Sequence, residues 1–155
     1  MNNSLITTEN NVLPQVINSY PPNIDLIRKH LNVPEEGIVF TYNGKIYSPH
    51  AKELPQHLLL HEMVHVKQQG NDSDSWWNRY LTDIEFRLEQ ELEAYTEQYL
   101  FLKMVNKTST SHEWLFILSE QLSHPVYGFN LTRPQAETKL RIRAKHFFDV
   151  KKETT

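Results

Sequence analysis

The chain of 155 residues contains no cysteine. That excludes disulfides and thiolate metal sites, so any metal must be held by histidine or carboxylate. No run approaches the ~20 consecutive apolar residues of a membrane span. The opening MNNSLITTENN has neither the basic nor the apolar segment of an export signal. These absences lead us to expect a cytoplasmic chain with no membrane partner. Charge of one sign is also lacking: 16 basic and 19 acidic side chains give a net charge of −3, against the basic excess of a nucleic-acid binder. The four glycines form neither a phosphate-binding loop nor a G-x-S-x-G nucleophile elbow. What is present, 39% apolar and 23% charged residues, suits a single globular domain around one core.

Residues 1–22 hold scattered Asn, Ser and Thr and close on Tyr20-Pro21-Pro22, with no period sustained beyond Val16-Ile17. They read as a flexible arm before a single domain over 23–150, with 151–155 as a tail. Asn23 precedes a short amphipathic helix, IDLIRKHL. Gly37–Tyr42 and Lys45–Tyr47 flank Asn43-Gly44, the pair that a type I′ hairpin turn favours. From Pro55 to Gln69 the pattern is helical, with proline in the first turn and Gly70 just past the end. A polar loop over 71–75 and a helical turn from Trp76 to Leu81 follow. Thr82-Asp83-Ile84-Glu85 reads as a capping box opening a long helix to about Val105, and Thr110–Glu113 and Thr132–Gln135 repeat the box before helices of about 111–122 and 133–148. The fold class is therefore α+β, mainly helical, with one small β hairpin.

Histidine carries the chemistry. His61-Glu62-Met63-Val64-His65 is an HExxH motif inside the predicted helix. Four residues advance a helix by about 6 Å and 40°, so both imidazoles leave one face and can reach one ion. Glu62, about 100° round from His61, is placed to take a proton from a water that the metal activates. Chance gives roughly 0.04 such matches in this composition, before a helix is required. His57 lies one turn earlier on the same stripe; too far along the helix to share the ion, it is expected either to support a ligand or to pack in the core.

Two histidines need a third protein ligand if one position is to stay open for water. On the long helix the apolar stripe runs through Ile84, Leu88, Leu92, Tyr95, Tyr99 and Leu102. Measured from Leu88, Glu89, Glu93 and Glu97 fall at about 100°, 140° and 180°, on the far face, whereas Glu91 falls at about −60°, beside the stripe. A carboxylate there is costly unless something partners it.

HEMVH followed by Glu91-Leu92-Glu93-Ala94-Tyr95 resembles the gluzincin pattern, HExxH and then a glutamate opening ExxA(D/N) on the next long helix. It looks most like small bacterial and phage-encoded metallopeptidases in which a short sheet precedes the active helix. The resemblance covers about residues 37–105. It implies a minimal zincin-like domain binding one Zn2+ through His61, His65 and Glu91, with Glu62 as general base and a peptide or protein as substrate. Where the family pattern carries Asp or Asn, this chain has Tyr95, so the Tyr95 hydroxyl or a backbone carbonyl is expected to orient a ligand imidazole.

The remaining features are weaker. Trp76 and Trp77 with Tyr80 are expected to pack the loop between the two ligand-bearing helices. The basic residues Arg133, Lys139, Arg141, Arg143 and Lys145 spread around their helix as a solvated surface. In the loop His124–Gly128, Tyr127 or His124 is a candidate donor to a developing oxyanion. The leading expectation is a zinc-dependent endopeptidase. Its rival is a non-catalytic zincin-fold binding or assembly protein that keeps zinc for structure, and Glu62 favours the enzyme because a structural site needs no base. A di-iron carboxylate bundle would need a second ExxH, which is absent.

The helical angles predict that Glu91→Ala abolishes activity and weakens zinc retention, whereas Glu89→Ala and Glu93→Ala are mild and change stability by less than about 0.5 kcal/mol. Elemental analysis and urea denaturation of the three variants check this. Metal loss in Glu93→Ala alone would place the helix in another register.

Overall fold

A computed structural model of the chain describes residues 14–106 and 111–153. The first thirteen residues of the expected arm, and Thr110 of the expected capping box, lie outside the described residues. Nine elements follow in order: β1 Val16–Ile17, α1 Ile24–His30, β2 Phe40–Tyr42, β3 Lys45–Tyr47, α2 Gln56–Gln69, α3 Ser73–Thr82, α4 Ile84–Val105, α5 Ser111–Leu122 and α6 Arg133–Glu153. A 3₁₀ turn, Pro125–Tyr127, joins the last two helices. Among the described residues no helix is long and apolar enough to cross a membrane.

The hairpin forms where Asn43-Gly44 stands. Both residues hold positive φ, 49° and 71°, as the type I′ turn demands. Tyr42 then pairs with Lys45, Thr41 with Ile46 and Phe40 with Tyr47. The sheet order is β1-β3-β2, because β1 joins β3 in parallel with Val16 opposite Ile46 and Ile17 opposite Tyr47. Residues 14–22 therefore belong to the fold rather than to an arm. The cause is tertiary: Ile46 N–H donates to Gln15 O at 3.0 Å, Ser48 N–H donates to Ile17 O at 2.8 Å, and the Asn18 amide reaches Ser48 O at 2.8 Å. Two residues carry no readable period, yet they saturate one side of β3. The other side of β3 holds β2, whose outer edge is left toward α2.

The helices begin and end largely where their caps stand. Gly70, at φ 54°, closes α2, and its N–H bonds Val66 O. Asp72 accepts from Ser75 N–H at 2.9 Å and opens α3 at Ser73, so a ten-residue helix stands where a loop and a single turn were expected. Asp83 rather than Thr82 caps α4, accepting from Phe86 N–H at 2.9 Å, while the Thr82 hydroxyl still bonds Asn78 O inside α3. At α6 the reciprocal box forms as expected, Thr132 N–H to Gln135 Oε1 and Gln135 N–H to Thr132 Oγ1.

Instead of one core there are two hydrophobic clusters. Leu92, Tyr95, Tyr99 and Leu102 of α4 pack with Leu115, Leu118 and Leu122 of α5 and Ala136, Leu140 and Ala144 of α6. Ile27, Phe40, Tyr47, Trp76, Trp77, Tyr80 and Leu81 form the second, between the sheet, α1 and α3. The tryptophans and Tyr80 thus pack α3 against the sheet and α1 rather than merely packing a loop between α2 and α4. Ile84, expected to head the buried stripe, is 47% exposed. Arg87 takes the inward place at that end because three backbone carbonyls receive its guanidinium.

Where α2 meets α4, between the clusters, the interior is polar: His61, Glu62, His65 and Gln69 from α2 and Arg87, Glu91 and Gln98 from α4 are all buried. A helix that buries histidine and glutamate in place of leucine is not built for packing alone. Truncation of the fully buried Leu118 to Ala should cost about 2–5 kcal/mol, read by denaturant unfolding, because the three-helix cluster cannot close over the void.

Candidate metal centre

His61 and His65 lie one turn apart on α2 and Glu91 faces them from α4, all three buried, with one ligand atom of each within 4.8 Å of the others. His61 Nε2 is 3.2 Å from His65 Nε2 and 3.4 Å from Glu91 Oε2, and His65 Nε2 is 3.5 Å from Glu91 Oε1. Glu89 and Glu93 point away, Glu89 to Arg143 at 2.8 Å and Glu93 to Gln68 at 2.9 Å, and Glu97 is exposed.

The partners of these groups decide what the site can hold. Gln68 donates through Nε2 to Gln90 O at 3.1 Å and to Glu93, which leaves its Oε1 to accept from His65 Nδ1 at 2.8 Å. Gln98 Oε1 accepts from His61 Nδ1 at 3.0 Å. Protons on both Nδ1 atoms free both Nε2 atoms to face Glu91. One carboxylate oxygen, Oε1, accepts the Tyr80 hydroxyl at 2.5 Å; the other, Oε2, is buried and has no hydrogen-bond partner among the described residues. Two imidazole lone pairs and a carboxylate, with one ligand atom of each within 4.8 Å of the others, form a donor set that fits a cation.

Without a cation a proton substitutes. Burial pushes the His65 pKa down, but the Glu91 charge and hydrogen bond outweigh it and raise it to about 9. Burial disfavours the Glu91 carboxylate, yet the same two imidazoles hold its pKa well below the ordinary range. Burial, and then the Glu91 charge, push the hydroxyls of Tyr80, Tyr95 and Tyr127 above theirs, so all three remain protonated donors.

Glu62 leaves α2 on the side toward the sheet and accepts the Thr41 hydroxyl at 2.7 Å through Oε2. It lines, with His61, both a cavity of about 60 Å³ that reaches His65 and Glu91 and an adjoining cleft of about 260 Å³. Ile38, Val39, Val126 and Tyr127 line both spaces, and His124 lines only the cleft. Arg87 holds the Tyr127 loop in place, donating to Tyr127 O at 2.7 Å as well as to Tyr80 O and Leu81 O. His124 is exposed, and its Nδ1 accepts Val126 N–H at 3.1 Å.

Set against protein-family models, curated proteins and solved structures, this chain has no match. What its site can do rests on its own residues.

Tyr95 does not orient an imidazole through its hydroxyl, nor does a backbone carbonyl take that part. Its ring packs edge-on against His61 at 4.5 Å, and its hydroxyl pairs with that of Tyr127 at 2.9 Å. The orienting groups are amides, Gln98 and Gln68. Both carried a signal in the sequence: Gln98 stands seven residues after Glu91 on the same helical face, and Gln68 three after His65. Tyr80 and Thr41 carried none, because α3 and β2 meet the site only in the folded chain.

A metal ion must displace the His65 proton. With a folded pKa about 9 against an ordinary value of 6.5, uptake near neutral pH should release about one proton, and apparent affinity should rise as the pH approaches 9. Titration calorimetry with zinc in two buffers of different ionisation heat measures that proton. The metal-free chain should behave in a related way: the His65–Glu91 contribution to stability, complete below pH 6.5, is lost as the pH rises through about 9.

Proposed function

We propose that this chain is a zinc-dependent peptidase of gluzincin type, with His61, His65 and Glu91 as ligands and Glu62 as general base. The observation that carries the reading is the buried Glu91 carboxylate, whose Oε2, without a hydrogen-bond partner among the described residues, lies 3.4 Å from His61 Nε2 and whose Oε1 lies 3.5 Å from His65 Nε2, with Glu62 lining the same cavity. Zinc suits two imidazoles and one carboxylate with a position left open, and when bound it supplies the Lewis acid that makes a water nucleophilic at neutral pH and polarises a carbonyl. Glu62 takes the proton of that water and returns it to the departing amine. Its second oxygen is steadied by Thr41, so the base is aimed before substrate arrives. Tyr127, which lines both spaces and whose protonated hydroxyl pairs with that of Tyr95, is the better placed donor to an oxyanion; His124, at the cleft wall, is the outer candidate.

The substrate is an extended peptide laid against β2, the edge strand of the sheet. In a two-residue hairpin alternate residues turn their backbone groups outward, here Thr41 and Val39. The Thr41 carbonyl is already taken by Gln69 Nε2 at 2.7 Å and Trp77 Nε1 at 2.9 Å. Pairing is therefore confined to the stretch before it, around Val39, which lines the cleft beside His61 and Glu62. Backbone pairing places little demand on side chains, so broad sequence tolerance follows.

The test is Glu62→Gln. It should retain zinc and fold while losing ~100- to 10,000-fold in hydrolysis of an unstructured protein, measured with and without chelator. Wild-type turnover in the variant would require another base. Zinc retention with no chelator-sensitive hydrolysis in the unaltered chain would make the site structural.

A further inference from the structure

At His61 the orienting group is an amide, and an amide is ambiguous. A carboxylate can only accept, so beside an imidazole it fixes the ring N–H by itself. A glutamine can present either end. With Gln98 Oε1 toward His61, the ring carries its proton on Nδ1 and aims an Nε2 lone pair at the site. With the amide reversed, the ring proton moves to Nε2 and one ligand atom is lost. Gln68, the corresponding amide at His65, has no such freedom, because its Nε2 donates to a backbone carbonyl and a carboxylate, neither of which can donate in return. Among the described residues, Gln98 Nε2 has one partner, His57 Nδ1 at 2.8 Å.

We propose that His57 is a positioning residue for the metal centre: by accepting the Gln98 amide N–H at Nδ1, it turns the Gln98 carbonyl onto His61 and holds His61 in the Nδ1–H tautomer. The inference rests on the metal-site reading above. Gln98 is only 1% exposed, so bulk water does not compete for either end of the amide. The His57 ring is held against Trp114 at 5.0 Å between centroids, which keeps Nδ1 aimed at Gln98. Burial, with His61 nearby, pushes the His57 pKa below the ordinary imidazole value, so the ring is neutral. Its Nδ1 is then an acceptor in the tautomer that neutral imidazole side chains favour in water. Two histidines of one helical stripe, one turn apart on α2, thus act in series through a residue of α4.

The test is a double-mutant cycle read by zinc affinity, not activity. His57→Phe keeps a ring against Trp114 and removes the acceptor; Gln98→Glu replaces the reversible amide with a carboxylate that needs no orienting partner. In a chelator competition assay, His57→Phe should weaken zinc binding 10- to 100-fold in the unaltered background and leave it unchanged in the Gln98→Glu background. Equal loss in both backgrounds, or loss in neither, overturns the proposal. Nitrogen NMR of the imidazole rings in metal-free protein gives a second readout. His61 should be wholly Nδ1–H in the unaltered chain and a tautomer mixture in His57→Phe; pure Nδ1–H in that variant also overturns it. If the unaltered chain takes up no zinc, the metal reading fails, and the NMR comparison still decides the role of His57.

Discussion

The burial of one carboxylate governs the centre of this molecule. Glu91 is ionised, 3% exposed, and satisfied at only one of its two oxygens. Leaving such a charge unpaired costs several kcal/mol, so α2 must bring a positive partner to it, whether a proton on His65 or a metal ion. The rest of the α2–α4 interface follows from that requirement. The histidines must sit one turn apart on the facing helix, and their far nitrogens must be held, as Gln98 and Gln68 hold them.

The groups that hold the imidazoles are neutral. Gln98 and Gln68 accept the two Nδ1 protons without adding charge. Glu62 and Glu91 already place two carboxylates at the site, and a third beside His61 would add a further buried negative charge to be desolvated. An amide avoids that excess. In exchange it loses the intrinsic polarity of a carboxylate, and its orientation must be supplied by a further residue. At His65 a carbonyl and Glu93 do this from α4; at His61 the neighbour is His57.

Access to the site is shaped by residues far apart in the chain. Arg87 spends its guanidinium on three backbone carbonyls rather than on a carboxylate, tying the end of α3 to the Tyr127 loop. Gln69 and Trp77 close the β2 edge at Thr41, and Ser73 receives the Asn43 N–H beyond it. One edge strand is therefore covered over part of its length, which limits unwanted strand pairing.

Local chemistry in the sequence determined a good deal. The HExxH spacing put two imidazoles on one helical face, the 100° step separated Glu91 from Glu89 and Glu93, Asn43-Gly44 dictated the hairpin, and Thr132–Gln135 dictated the start of α6. Each is a relation among residues a few positions apart, where backbone geometry alone sets direction. Where two caps competed, at Thr82 and Asp83, the local pattern was insufficient, because the preceding helix claimed the threonine hydroxyl. Tertiary structure alone decided the rest. It recruited Val16-Ile17 to the sheet, since a two-residue strand exists only by virtue of the partner it bonds. It brought Tyr80 to Glu91 and Thr41 to Glu62 from elements with no fixed sequence distance to α2. It also moved the support of His61 from position 95 to position 98, because α4 packs with Tyr95 turned onto the His61 ring and Gln98 beneath its Nδ1, and the rotation of one helix against another is set by the side chains between them and not by the period of either.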